Sequence, residues 1–161
     1  MRKESEGVTE TLLESAEREF LKYGFRDASL RRISSESGVS TNSIYTRFKD
    51  KEGLFEALVK PAADGLMNIY MNSVQAASGV SAVSDAINYG NQGTDEVLEY
   101  IYSNFKAFKL IFCHSAGTKY EDYFDRLAEI EESYYRKFAI QFAVDKTVDD
   151  MFIHVICRTG W

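Results

Sequence analysis

Apolar residues in this chain recur at spacings of three and four, as in Leu12, Ala16 and Phe20, or Val97, Ile101, Phe105, Phe108 and Phe112. That period belongs to a helix buried along one face, not to a strand. Strand punctuation is nearly missing: Pro61 is the one proline, and no Asn-Gly or Asp-Gly turn stands between alternating runs. The fold class read from this is all-α. A first helix is expected over residues 9–23, stopped at Gly24, a residue type that tolerates left-handed backbone. Ser29 can cap a short second helix holding Leu30 and Ile33 and ending at Gly38, and Ser40 caps a third. Asp50 caps a fourth, carrying Leu54, Phe55, Leu58 and Val59, which Pro61 ends or kinks. Two domains follow, residues 1–60 and 61–161. Further helices are expected near 61–76, 81–89, 94–115 and 119–143 and after Thr147, with 88–93 as the clearest internal loop.

The net charge of -6 at first argues against a phosphate-rich partner. Its distribution reverses that, because residues 1–60 hold 11 Lys+Arg against 11 Asp+Glu and the remainder carries the whole deficit. Within residues 26–51 the cations Arg26, Arg31, Arg32, Arg47, Lys49 and Lys51 outnumber the anions Asp27, Glu36 and Asp50. No apolar run approaches the roughly 18 residues of a membrane span, and the start, MRKESEGVTE, lacks the hydrophobic core of a signal peptide. A cytoplasmic protein without a membrane partner is expected. Cys113 and Cys157 are too few for a disulfide framework, and each sits in an apolar run where burial is expected.

Ser40-Thr41-Asn42-Ser43 sets four short polar side chains ahead of Ile44-Tyr45-Thr46-Arg47-Phe48. One of them serves as a cap; four exceed that need, because such residues compete with the backbone inside helices. At about 100° per residue from Ile44, Phe48 falls near 40°, so these two mark the buried face. Tyr45, Asn42, Thr46 and Ser43, at about 100°, 160°, 200° and 260°, point away from it, and Thr41 and Arg47 lie on its flanks. Two short helices joined through Gly38 make a helix-turn-helix pattern, whose second helix meets base edges with its first residues. Arg31, Arg32 and Lys51 bring cations to the same region, and helix starts offer free N–H groups to phosphate.

From Leu12 to Val59 the chain resembles the DNA-binding domain of the TetR family of transcriptional regulators, through "LLESAEREFLKYGFRDASLRRIS" and "GVSTNSIYTRFKDKEGLFEALV". Gly38, Ile44-Tyr45, Phe48, Lys51-Glu52 and Leu54 are its most specific elements. The resemblance implies Ser29, Tyr45 and Lys51 as phosphate contacts, and Arg31, Thr41, Asn42 and Ser43 as residues that read or approach bases. Arg47 matches a position touching backbone or base edge, and Thr46 shares the outward face. Arg32 stands where many members carry an acidic residue. Also implied is a three-helix DNA-binding domain joined through a fourth helix to a helical ligand-binding and dimerisation domain. The expected partners are double-stranded operator DNA of palindromic form, a second copy of the chain in a homodimer, and a small-molecule inducer. Inducer binding would alter the separation of the two reading heads, which must stay near a helical-turn multiple of about 34–36 Å, and so release a repressor. Members usually continue through two long helices that form the dimer interface, so the chain reads as short at its C-terminus, with exposed apolar surface where those helices are missing. Its last helix is expected after Thr147, with Asp150 at N3, burying Met151, Phe152, Val155 and Ile156 before Trp161.

The sensor site is expected between the helices over 94–115 and 119–143, near Phe105, Phe108, Glu131, Tyr134 and Phe138. The second of these carries the stripe Tyr120, Phe124, Leu127, Tyr134, Phe138 and Phe142, and an aromatic stripe is more often plain core. Hydroxyls on Tyr102, Tyr134 and Tyr135 tip the balance toward a cavity, since a close-packed core would have to satisfy them. The inducer is then mostly apolar, and cationic if Glu131 faces inward. No enzyme, metal or cofactor is expected: His114 and His154 lack ligand spacing, and Cys113 and His114 point about 100° apart on a helix. Gly90-Asn91-Gln92-Gly93 lacks the Lys and Ser/Thr of a phosphate loop. The rival reading is a DNA-associated or scaffold protein of the same fold without an inducer.

Overall fold

A computed structural model describes residues 2–79, 81–142 and 148–159, and of these all side chains but those of residues 2–6, 78 and 86. Every regular element among them is helical: α1 (Arg2–Asp27), α2 (Leu30–Ser37), α3 (Thr41–Phe48), α4 (Lys51–Ser78), α5 (Val83–Ser103), α6 (Phe105–His114), α7 (Tyr123–Phe142) and α8 (Asp150–Thr159). None of these helices is long and apolar enough to cross a membrane. The chain divides into two compact units, Met1–Asp64 with Asn104–Glu121, and Gly65–Ser103 with Asp122–Trp161. Unit 1, the first of these, thus takes in α6 and the turn after it, and unit 2 takes in the rest.

In unit 1 the apolar stripe of α1 does what its period predicts, with Leu12, Ala16 and Phe20 fully buried. Gly24 breaks α1 at φ 73°, and Gly38 closes α2 at φ 71°, both in the left-handed region open to glycine. Ile33 and Ile44 are fully buried and Val39 nearly so, holding α2 and α3 against each other. Phe55 packs edge to face on Phe20 and Phe25, with centroids at 5.1 and 5.5 Å. α6 lies on α1, where Phe108, Leu110 and Ile111 are buried and Lys106 pairs with Glu17 at 2.6 Å. The turn after it is tied in by Lys119 to Glu56 at 2.6 Å and by Arg26 to Glu121 at 3.7 Å.

Several sequence expectations change. Helix α4 does not end at Pro61 but runs through it: the ring sits on the exposed side, and buried Val59, Ala62 and Ala63 offset the lost backbone bond. Residues 88–93 are helical, within α5, not a loop. Gly93 is buried there, and a Cβ on it would collide with Ser73 Oγ and stand 2.8 Å from Ser73 Cβ, so the glycine lets α5 approach α4 closely. The helix expected over 94–115 is two helices, parted at Asn104 (φ -116°, ψ 32°). Helix α7 starts at Tyr123 because residues 115–122 form turns, with Thr118 N–H on the Ser115 carbonyl at 2.9 Å.

In unit 2, α8 packs on α7 through Ile153 and Cys157, whereas Met151, Phe152, Val155 and Ile156 are exposed, the reverse of expectation. Polar pairing helps fix that face: buried Glu132 on α7 accepts from the Arg158 guanidinium, with His154 Nδ1 at 3.0 Å and Arg136 at 3.7 Å. Asp149 caps α8, accepting from Met151 N–H at 2.7 Å, so Asp150 opens the helix instead of standing at N3. Thr147, Ala143 and Trp161 lie outside the described residues. Cys157 is buried as expected, and burial, with Glu131 and Glu132 nearby, pushes its thiol up to about 11; Cys113 is exposed.

Candidate nucleic-acid interface

The α2–turn–α3 region sets out a polar face. Ser40 caps α3 by accepting from Ser43 N–H at 3.2 Å, and its hydroxyl meets that of Ser43 at 3.0 Å. With Ile44 buried, Asn42, Tyr45, Thr46 and Arg47 are exposed and Thr41 and Ser43 half-buried at the front of the helix. Thr46 donates back to the Asn42 backbone carbonyl at 2.9 Å, and the Asn42 side chain is exposed. Arg47 donates to Thr9 Oγ1 on α1 at 2.6 Å, so its guanidinium is steadied on one side.

Ser29 occupies the N-cap of α2, but its hydroxyl makes no capping bond; its backbone N–H donates instead to Glu19 Oε1 at 2.8 Å. Glu19 is a buried carboxylate, and Arg32 neutralises it through Nε at 2.8 Å, then donates to the Asp27 carbonyl and lies 4.3 Å over the Tyr23 ring. The hydrogen bond to Glu19 raises the Arg32 pKa further. Arg32 is thus held by the fold, whereas its neighbour Arg31 is exposed and makes no side-chain bond among the described residues. Two adjacent arginines divide the labour, one holding α2 to α1 and one facing out. Glu19 escaped the sequence reading, yet a signal existed: it falls seven residues after Leu12, on the stripe that α1 buries.

Lys51 is half-buried. Its ammonium donates to the carbonyls of Arg26 at 3.0 Å and Ala28 at 3.2 Å and stands 4.7 Å from the Phe25 ring. Two of its three donors satisfy the end of α1, and the third makes no bond among the described residues. Asp50 caps α4 as expected, accepting from Gly53 N–H at 2.7 Å. A Cβ on Gly53 would collide with the Phe48 carbonyl oxygen, so α4 starts in direct contact with the end of α3.

The five expected sensor residues are not gathered in either unit. Phe105 and Phe108 belong to unit 1, where Phe108 is core and Phe105 exposed, and Glu131, Tyr134 and Phe138 belong to unit 2. On α7 the rings of Tyr134, Phe138 and Phe142 follow one another, with centroids 6.1 and 4.8 Å apart, all half-buried. Burial raises the Tyr134 and Tyr135 hydroxyls, aided at Tyr135 by Glu131. Tyr102, in contrast, is 73% exposed, so its hydroxyl is met by solvent and asks for no cavity.

Residues 12–58 match the family model described as bacterial regulatory proteins, tetR family. The chain is 40% identical over 52 residues to the HTH-type transcriptional repressor AcnR of Corynebacterium glutamicum, covering 32% of this chain and 28% of that relative. It is 39% identical over 49 residues to the HTH-type transcriptional repressor Rv1474c of Mycobacterium tuberculosis, covering 30% and 26%. The match thus spans less than a third of either relative. Among solved structures, a gamma-butyrolactone receptor (ArpA like protein) superposes with a TM-score of 0.64 at 18% identity, over 96% of this chain and 77% of that one. The TetR family regulator PfmR from Thermus thermophilus gives 0.61 at 19%, over 92% and 79%. At those identities the likeness is one of fold.

Proposed function

We propose that this chain, whose residues 12–58 match the tetR family of bacterial regulatory proteins, is a DNA-binding transcriptional regulator, a repressor released from a palindromic operator by a small molecule. The observation that carries the reading is the outward face of α3. Asn42, Tyr45, Thr46 and Arg47 are exposed on one short helix whose opposite side is anchored by buried Ile44. Polar side chains able to donate and accept, on a helix whose first turn stands clear, suit base edges in a major groove. Arg31 and Asn42 are the base readers in this reading; Ser29, Tyr45 and the third donor of Lys51 hold phosphates; Thr41, Ser43, Thr46 and Arg47 complete the contact surface.

In the same reading a second copy of the chain supplies the other half-site, and unit 2 takes up a mostly apolar inducer. Glu131, Tyr134 and Phe138 are its candidate contacts, supported by the half-buried aromatic rings of α7. The test is selection of bound fragments from the source genome, followed by titration of the recovered duplex against a random one. A palindromic consensus bound at least about a thousandfold more tightly than random sequence is the expected result. Equal, purely salt-dependent affinity for both duplexes would replace this function with that of a DNA-associated scaffold.

A further inference from the structure

The joint between α3 and α4 turns on Lys49. Its φ and ψ are 72° and -49°, and it alone among the described non-glycine residues has a positive φ. Asp50 N–H donates to the Phe48 carbonyl at 2.8 Å across it, which closes a γ-turn of the rare, strained hand. A side chain is disfavoured on such a backbone, and glycine is the residue the turn itself calls for. The position nevertheless carries a long cationic side chain that is exposed and has no hydrogen bond or ion pair among the described residues. Neither Asp50, whose Oδ1 accepts from Gly53 N–H, nor Glu52 forms an ion pair with it among the described residues.

The place of the turn gives the charge its use. Lys49 N–H donates to the Tyr45 carbonyl at 2.8 Å, so the residue stands one helical turn beyond the exposed phenol of Tyr45, where α3 leaves the face described above. Resting on the DNA-binding reading, we infer that Lys49 is a further phosphate contact, and that the strained turn holds its ammonium beside Tyr45 at the exit of the reading helix. It acts as a point charge on the backbone and carries no sequence information.

Stability and binding are then expected to move in opposite directions. In Lys49→Gly the left-handed backbone is relieved, and the melting temperature of the full chain rises by about 2–4 °C. Its affinity for a labelled random duplex falls, and the slope of log affinity against log salt shrinks by about one unit. Lys49→Arg keeps the charge on the same backbone and keeps the wild-type slope. A glycine variant that binds with an unchanged slope overturns the assignment, and so does one that melts lower than wild type, since the turn would then not be strained. Should the wild-type chain itself show no salt-dependent affinity for any duplex, the DNA-binding reading fails and takes this contact with it; a binding wild type with an unaffected glycine variant removes the contact alone.

Discussion

Two glycines three residues apart on α5 offer a sharp test of how unit 2 is built. Gly90 is exposed, and a Cβ built on it meets nothing within 4 Å. Gly90→Ala therefore gains the helix-propensity difference, about 0.8–1.0 kcal/mol, with no steric charge against it. Gly93 has the same propensity to gain, but its Cβ would come within 2.8 Å of Ser73 Cβ, an atom that no rotamer change can move away. Forcing α4 and α5 apart costs about 1–3 kcal/mol, which equals or exceeds that gain. Gly90→Ala should thus raise the urea midpoint and Gly93→Ala leave it unchanged or lower it, the two variants differing by about 1–3 kcal/mol when followed by far-ultraviolet circular dichroism. In temperature the first change is an increase of about 2–4 °C. Loss of stability in Gly90→Ala would mean that residues 88–93 form a loop, as the sequence alone suggests, and the helical α5 would be refuted.

Arg31→Ala and Asn42→Ala should each cost about 1–3 kcal/mol on the cognate duplex and little on a random one; losses of equal size on both duplexes would move these residues from base reading to phosphate holding. Glu19→Ala removes the buried acceptor of Ser29 N–H and should lower stability by about 1–3 kcal/mol in urea melts, and an unchanged midpoint would show that α2 is not fixed through that carboxylate. Because the Cys157 thiol is raised from 9.0 to about 11 by burial, its contribution is complete below pH 9.0 and lost as the pH climbs through about 11. Midpoints measured across that window should fall more steeply in the wild type than in Cys157→Ala, and parallel curves would count against the buried neutral thiol.

What the sequence determined by itself lies mainly in residues 12–59, because the signals there act within one or two turns of the residues that carry them. Gly24 breaks a helix and Gly38 stops one, Ser40 and Asp50 start them, and the stripe Leu12-Ala16-Phe20 and Ile44 state which faces turn inward, with Phe48 half-buried. The outward face of α3 follows from the same wheel. Close approach between distant segments was a matter for tertiary structure alone. Pro61 and Gly90–Gly93 are breakers by propensity, yet the helices run through them because buried neighbours outweigh a lost bond and because Gly93 admits α4. On α8 the period allowed more than one inward face, and Ile153, Cys157 and the Glu132–Arg158 pair selected it. Arg31 and Arg32 are indistinguishable in one dimension; only the place of Glu19 assigns Arg32 to the fold, while Arg31 makes no side-chain bond among the described residues. The strain at Lys49 is likewise invisible in the sequence, since it arises where the end of α3 meets the start of α4 and the chain has a single residue in which to turn.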